Sequence, residues 1–318
     1  MSAFHTPFIQ EDIDALGRHY TVRRQIGHGL RAALKIVTGV IRYDVAFCWF
    51  ASTYAAVAVA VGRMFNAKCI IVVGGVDVAK DKDLNYGVWL SPWRARLVGY
   101  ALRNADSVLV VDPSLKREAV QRASYDGENI SYLPTGYDGT FWKPVGEKER
   151  IVLCVAMVGD EQRFRVKGID VLIEAARELS DVPFVVVGVE QELALKHLPP
   201  FNMTFYPPMD RRDLLPFYQR ARVYCQPSRR EGMPNTLCEA MLCGCIPVAA
   251  EVGGNASAVG EAGFVITSGD AKILAGALRQ ALASGGALVL KARMRIVSLF
   301  PGEKREHELV RIVNGLLR

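Results

Sequence analysis

Long apolar runs are scarce in this sequence of 318 residues, although half of it is hydrophobic. The most apolar helical stretch, residues 54–65, is about a dozen residues long, short of the ~20 needed to span a bilayer. The opening stretch MSAFHTPFIQED has no basic region followed by an apolar core. A secretory leader is therefore not expected there, and any membrane contact would be peripheral. Metal-ligand patterns are missing as well. The seven cysteines (Cys48, Cys69, Cys154, Cys225, Cys238, Cys243, Cys245) form no CxxC pair, and the cluster at 238–245 has no histidine nearby. An odd number of thiols, most of them beside Val, Ile, Leu or Phe, reads as reduced, buried side chains of a cytoplasmic protein, with no metal assigned. A net charge of +6 is too small to argue for nucleic acid, though it suits an anionic substrate or an anionic membrane surface.

Acidic residues are absent between Ala15 and Tyr43, while Arg18, Arg23, Arg24, Arg31, Lys35 and Arg42 bring six basic side chains. Within this stretch residues 29–41 are amphipathic, with Leu30, Ala33, Leu34, Val37 and Ile41 along one side. Two readings stand: a helix at an anionic membrane surface, or a helix packed on a sheet with a solvated basic face. Tyr86, Trp89 and Trp93 beside Arg94 and Arg96 form a second candidate interfacial patch.

What the chain does have is alternation. Strand patterns fall at residues 45–49, 69–73, 107–111, 130–133, 151–157, 183–187, 203–206, 223–226, 246–249 and 263–266. Helical patterns fall at 29–41, 53–65, 92–103, 114–123, 168–179, 211–220, 234–243, 271–283 and 303–317. A period that switches between two and 3.6 in step predicts parallel sheets with crossover helices. The Pro/Gly/charge run KPVGEKER at 143–150 suggests a linker between two such series. Residues 1–4 are only a stub of a strand, so the opening strand is very short or residues precede it.

The chemistry concentrates in PSRREGMPNTLCEAMLCG, residues 227–244, where Glu231 and Glu239 are separated by seven residues. Pro234 suits a first helical position, and Gly244 and Pro247 mark the exit. In a helix over 234–243, Leu237, Ala240 and Met241 form a core face, with Asn235, Thr236, Glu239 and Cys243 on the other side. Free N–H groups of the first turn make an anion site, with one acid before it and one a turn inside it. That pattern suits a sugar nucleotide. The alternative is capping, since Ser228-x-x-Glu231 and Thr236-x-x-Glu239 both fit the S/T-x-x-E box, although Gly232 and Pro234 would break a helix begun at Ser228.

Pro227–Ser228, Glu231–Gly232–Met233–Pro234, Glu239–Ala240–Met241, Gly244, Pro247–Val248 and Gly253–Gly254 together resemble the signature of family 4 glycosyltransferases of the GT-B fold, including its E-x7-E motif. Lys167–Gly168–Ile169–Asp170 with Leu172–Ile173–Glu174–Ala175 resembles the family's KG-D-LIEA helix start. Leu133–Pro134–Thr135–Gly136–Tyr137–Asp138 through Phe141 and Pro144 resembles its hinge approach. The resemblance covers roughly residues 129–266, and several motifs in order are a far stronger signal than one.

The resemblance implies two Rossmann-like domains facing across a cleft, with residues 1–146 binding acceptor, 147–300 binding donor and a last helix, 301–318, returning to the first domain. It implies a retaining, metal-independent hexosyltransferase that uses a nucleoside diphosphate sugar and a glycan, lipid-linked or small-molecule acceptor, working in the cytoplasm or at the inner face of the membrane. Glu231 would hold the transferred sugar, Glu239 the ribose diol, and Lys167 with Arg163 or Arg165 the diphosphate. Gly232, Met233, Asn235 and Thr236 would line the phosphate site; Gly136 and Tyr206 count with the donor contacts, the base being met by backbone near 206–209. The family's N-terminal Gly-Gly loop is replaced by His5–Thr6–Pro7–Phe8, and a histidine after the fourth strand by Gly74–Gly75–Val76–Asp77. His5 and Asp77 are therefore the acceptor-side candidates, Asp77 being equally readable as a turn or cap residue. These departures keep open a sugar-nucleotide-binding protein with lost activity, or with epimerase-like or phosphorylase-like activity. Asp81–Lys82–Asp83 is a DxD, read as a solvated loop.

Overall fold

The computed structural model describes residues 6–26, 29–267 and 269–318. The chain separates into two compact units, residues 1–136 with 302–318, and residues 137–301. Each is α/β.

In the first unit β1 (Val45–Trp49), β2 (Lys68–Val73), β3 (Ser107–Val110) and β4 (Ile130–Tyr132) form a parallel sheet in sequential order. Helices such as Thr53–Phe65, Pro92–Asn104 and Pro113–Ala123 make the crossovers. Residues 70–73 of β2 are fully buried, as a parallel strand covered on both faces requires. Helix Gly302–Leu316 belongs to this unit, and an ion pair fastens it. Arg305 Nε lies 2.6 Å from Asp12 Oδ1 and Nη2 2.7 Å from Oδ2, both side chains being buried. The same guanidinium donates to the carbonyls of Leu133 and Pro134, and Trp49 Nε1 donates to Asp12 at 2.9 Å. Every charge taken from water is thus met by a partner, the condition for a buried pair to be tolerated. Around it, Arg18 and His19 reach Glu306, and the Tyr20 hydroxyl reaches Val310 and Asn314.

The second unit has β5 (Glu149–Val158), β6 (Phe184–Val189), β7 (Met203–Tyr206), β8 (Ala221–Gln226), β9 (Ile246–Ala250) and β10 (Phe264–Ile266) in one parallel sheet ordered β10-β9-β8-β5-β6-β7. Chain order runs outward from β5 through β6 to β7, then returns to β8 on the other side of β5. The β5/β8 pair is therefore the switch point, where crossover connections diverge and leave a crevice at the carboxyl ends of the strands. Helix Ile169–Glu178 packs on helix Ala271–Ala283, and their apolar stripes meet the sheet in one core with Phe164, Phe184 and Leu278.

Several expectations change. The boundary predicted at 146/147 falls ten residues earlier, because residues 137–146 fold with the second unit: Tyr137 N–H bonds the Phe300 carbonyl, and Trp142 is fully buried in edge contact with Tyr218. The helix expected over 234–243 spans Asn235–Leu242, with Pro234 preceding it, and it has no solvated side beyond its first turn. Glu239 and Cys243 are buried along with Leu237, Ala240 and Met241: helix Gly286–Leu299 packs against this helix, and Tyr218 and Arg211 reach Glu239 from helix Arg211–Arg220. That covering helix has no pattern in sequence: Ala292 and Ile296 are buried while Leu290, Met294 and Leu299 are exposed, so its apolar residues fall on more than one side. Helices Glu161–Val166, Gln191–Leu195 and Asn255–Val259 are too short to show a 3.6-residue period.

In helix Gly29–Arg42 the buried stripe is Ala32, Ile36 and Val40, whereas Leu34 and Ile41, expected on the apolar side, are exposed. Trp89 is no surface anchor, since its indole donates to the Asp77 carbonyl; Trp93 is exposed, with Arg94 over its ring. Asp81 pairs with Tyr86 and accepts from the Leu84 amide, so the DxD is a turn. The strand stub at 1–4 and His5 lie outside the described residues.

Arg305→Met, which strands Asp12 in the interior, should cost the first unit about 3–5 kcal/mol. Urea unfolding followed by tryptophan fluorescence would show it, and Asp12→Leu combined with Arg305→Met should recover much of the loss.

Candidate functional site

Two loops leave the sheet at the β5/β8 switch point, and the sequence binds them to one another. The loop after β5 enters helix Glu161–Val166, capped by Asp160, whose carboxylate accepts the Arg163 amide at 2.7 Å. Lys167 and Gly168 then lead into helix Ile169–Glu178. Gly168 has φ +69°, and a Cβ there would lie 2.1 Å from the Pro227 carbonyl oxygen. Only glycine meets both demands. From the loop after β8, the Arg229 amide bonds the Val166 carbonyl at 2.8 Å, and its guanidinium grips Asp170 through two contacts of 2.7 Å. The acid of the KG-D motif thus clamps the two loops together.

Within this frame Lys167 Nζ lies 2.6 Å from Glu231 Oε1, with the two side chains 24% and 10% exposed. Gln226 Nε2 donates to the same oxygen at 2.7 Å and to Ser228 Oγ at 2.9 Å. The Tyr224 hydroxyl lies within hydrogen-bond distance of Thr236 Oγ1 (2.7 Å) and Gln226 Oε1 (3.0 Å). Both donors converge on Oε1, and among the described residues Oε2 has no protein donor. From the far side, Gly253, with φ +50°, lets the chain approach the Glu231 carbonyl to a distance a Cβ could not share, and the Gly254 amide donates to the Gly232 carbonyl at 2.7 Å.

Glu239 stands in helix Asn235–Leu242, 7% exposed. Tyr218 OH donates to its Oε2 at 3.2 Å, and Arg211 Nη2 lies 3.4 Å from its Oε1. Burial beside Glu239 raises the Tyr218 phenol well above its ordinary range, so it remains a donor. The capping alternatives give way here: Thr236 sits at the second helical position with its hydroxyl held by Tyr224, and Ser228 is fully buried under Gln226. Asn235 Oδ1 accepts from Tyr137 OH at 2.8 Å, while Met233 is buried beneath the loop and Gly232 is partly exposed.

Arg163 and Arg165 are both exposed on helix Glu161–Val166. The Lys167 amide bonds the Arg163 carbonyl at 2.8 Å, so Arg163 lies one helical turn before Lys167 on the same face; Arg165, two residues away, points elsewhere. Tyr206 ends the edge strand β7, its ring in edge contact with Phe217. Gly136 is placed with the first unit, where a Cβ would meet Gly302 Cα at 2.7 Å; close packing on the last helix accounts for that glycine. The sequence reading missed Gln226, Tyr224, Tyr218 and Arg211. Only the QPS spelling of the strand exit, an amide among apolar neighbours, hinted at the first.

Residues 142–297 match the family described as glycosyl transferases group 1. Curated relatives include the D-inositol 3-phosphate glycosyltransferases of Mycobacterium sp. strain KMS, 31% identical over 163 residues, and of Mycolicibacterium vanbaalenii, 32% over 168. Each alignment takes in 46% of this chain, and the chain spans little more than a third of those relatives, 36% and 37%. Among solved structures, Anabaena HepE in complex with UDP and glucose superposes with a TM-score of 0.77 at 15% identity, covering 96% of this chain and 89% of that one. Sucrose-phosphate synthase from Thermosynechococcus elongatus gives 0.72 at 21%, covering 90% and 78%. These likenesses establish the GT-B fold.

The first unit contains a cavity of about 430 Å³ lined by Ile13, Leu16, Val22, Ile36, Phe47 and Leu317, with Arg23, Lys35 and Arg42 also on its walls. Asp77, the acceptor-side candidate, is engaged by the backbone around it. It is fully buried at the end of β2, where its carboxylate accepts the amides of Ala51 (2.9 Å), Gly75 (2.7 Å) and Gly74 (3.2 Å). It is a turn organiser that ties the β1 and β2 exits together. Burial pushes its carboxyl up to about 6 from 3.8, against the pull of those amides. A raised folded-state value means that protonated Asp77 favours the fold; this stability is complete below about pH 4 and is lost as pH rises through 6. The difference of about two units corresponds to roughly 3 kcal/mol. Relative to Asp77→Asn, the wild-type chain should thus lose stability by about that amount between pH 4 and pH 7 in denaturant titrations.

Proposed function

We propose that this protein is a retaining, metal-independent glycosyltransferase of the family 4 type, moving a hexose from a nucleoside diphosphate sugar to an acceptor. The observation that carries the reading is the Lys167–Glu231 pair at the β5/β8 switch point, with Glu239 one helix turn beyond, inside the segment that matches glycosyl transferases group 1. Donor departure builds negative charge on the diphosphate. Lys167, with Arg163 on its face, supplies fixed positive charge there, and so does the N-terminus of helix Asn235–Leu242. That is the work a divalent cation would otherwise do. Glu231, held at Oε1 by Gln226, presents Oε2 to the sugar hydroxyls, and it keeps one fixed donor when Lys167 turns to phosphate. Glu239 accepts the ribose diol, and the base lies against backbone between Tyr206 and Asp210.

Retention follows the same-face path, in which the leaving diphosphate takes the acceptor proton, since neither carboxylate is free of its binding task. The relatives named as D-inositol 3-phosphate glycosyltransferases support glycosyl transfer, and the HepE complexes with UDP and UDP-glucose support a nucleotide sugar as donor. The acceptor is a glycan, lipid-linked molecule or small molecule bound by the first unit. Among the described residues no single helix is long and apolar enough to cross a membrane. Exposed Leu34 and Ile41 beside Arg31, Lys35 and Arg42 favour peripheral contact with an anionic cytoplasmic face.

Nucleoside diphosphates tested by thermal shift should stabilise the protein by about 2.7 kcal/mol at a hundred times Kd, with one base preferred. No shift with UDP, GDP or ADP would overturn the reading. Glu231→Gln should lower kcat by roughly 10²–10³ while nucleotide affinity stays close to wild type. Glu239→Ala should do the reverse, raising the Kd for nucleoside diphosphate about tenfold or more. Turnover and calorimetric titration distinguish the two.

A further inference from the structure

Helix Gly29–Arg42 carries in its middle a glycine that no neighbour explains. Glycine is the poorest helix former after proline, so one inside a helix calls for a reason. At Gly62 the reason is close contact, since a Cβ there would meet the Ala67 carbonyl oxygen at 2.6 Å. At Gly39 a Cβ would meet no neighbouring atom within 4 Å, and the residue lies on the wall of the 430 Å³ cavity of the first unit. Gly39 therefore keeps space open inside that cavity.

The space has two kinds of wall. Ile13 and Leu16 of helix Pro7–Gly17, Ile36 and Val40 of the glycine's own helix, and Leu317 line it with hydrocarbon. Val22 and Ile26, also on the walls, are 41% and 37% exposed, so the apolar lining reaches the mouth. Basic side chains accompany it there. Arg23, Arg24, Lys35 and Arg42 all line the cavity and all are exposed. Lys35 and Arg42 stand two helical turns apart and so share one face of their helix. Of the acids lining the cavity among the described residues, Asp12 is already held by Arg305, which leaves Asp44 alone against four cations.

An apolar interior with a cationic mouth matches a molecule that is hydrocarbon at one end and anionic at the other. Small-ligand sites run from roughly 300 to 1,000 Å³, so 430 Å³ is at the lower end and suits one chain better than two. Guanidinium forks match phosphate oxygens in pairs, and a phosphate has charge and acceptors enough for several cations, where a carboxylate is satisfied by one. We propose that this cavity binds a single-chain lipid phosphate, its hydrocarbon tail seated beside Gly39 and its phosphate met by Arg23, Lys35 and Arg42. The walls belong to the first unit and the donor-side residues to the second, so the site does not depend on the reading of the donor chemistry.

The test is calorimetric titration of the whole chain, without nucleotide, using octyl, decyl and dodecyl phosphate as monomers. Each buried methylene should tighten binding about fourfold, so decyl phosphate should bind roughly fifteenfold more tightly than octyl phosphate. Inorganic phosphate should bind more weakly than decyl phosphate by about a hundredfold or more. Arg23→Gln and Arg42→Gln should each weaken decyl phosphate about fivefold and leave 1-decanol unchanged. Gly39→Leu fills the space with a better helix former, so it should fold at least as well as wild type and yet lose the dependence on chain length. Affinity that does not rise with chain length, or wild-type binding by Gly39→Leu, would overturn the cavity as the site. Decanol or decanoate binding as tightly as decyl phosphate would overturn the phosphate head. Binding to anionic phospholipid vesicles, but to none of the monomeric alkyl phosphates, would overturn the proposal in favour of contact at a membrane surface.

Discussion

The 2.6 Å contact between Lys167 and Glu231 is the constraint on which the rest of the second unit is arranged. A lysine and a glutamate at the surface would pair weakly and come apart. Here each is presented by a loop leaving one of two adjacent parallel strands, and each loop is pinned by contacts outside the pair. Gly168 against Pro227, Arg229 on Asp170 and the Arg229 amide on Val166 bring the loops together. Gln226 then settles which oxygen of Glu231 is held. The ion pair is the visible end of a frame whose stability comes from backbone approach and buried hydrogen bonds.

That frame sits where it does because of the winding of the sheet. Crossovers leave β5 toward β6 on one side and return to β8 on the other, so the connections diverge at the β5/β8 boundary. Small close contacts draw the loops together there, and they require glycine at 168, 253 and 254. The first unit solves a different problem. Its charged centre, Arg305 with Asp12, is closed on all sides by Trp49 and two carbonyls, and it serves to fasten the last helix. Asp77 is closed in the same manner by three amides. Buried charge in this unit serves architecture, whereas in the second unit Glu231 is held at Oε1 and, among the described residues, has no protein donor on Oε2.

Much of the fold is legible in the residues. The alternation of β-branched runs with amphipathic segments places the ten strands of the described residues within a few residues, because parallel strands buried on both faces must be continuously apolar. Helices covered on one face are equally plain. Gly286–Leu299 escapes because its apolar residues are not confined to one stripe, and the three shortest helices because five or six residues hold no period. The unit boundary was misplaced since KPVGEKER looks like a linker, while the contacts that draw residues 137–146 into the second unit, Trp142 on Tyr218 and Tyr137 on Asn235, join positions far apart in the chain.

The site divides along the same line. Glu231, Glu239, Lys167 and the glycines around them are local words, readable because their spacing in the chain carries their chemistry. The chain by itself determined the order of strands and helices, the two acids and the lysine. Which of them meet was decided only by tertiary structure, because the meeting depends on strand order, and strand order joins residues 64 positions apart at 2.6 Å. The partners Gln226, Tyr218 and Arg211 have no motif of their own; each acquires its meaning from the side chain it faces. Asp77 shows the converse: a polar residue after two glycines looks available in sequence, and only complete burial under three backbone amides reveals that it is already engaged.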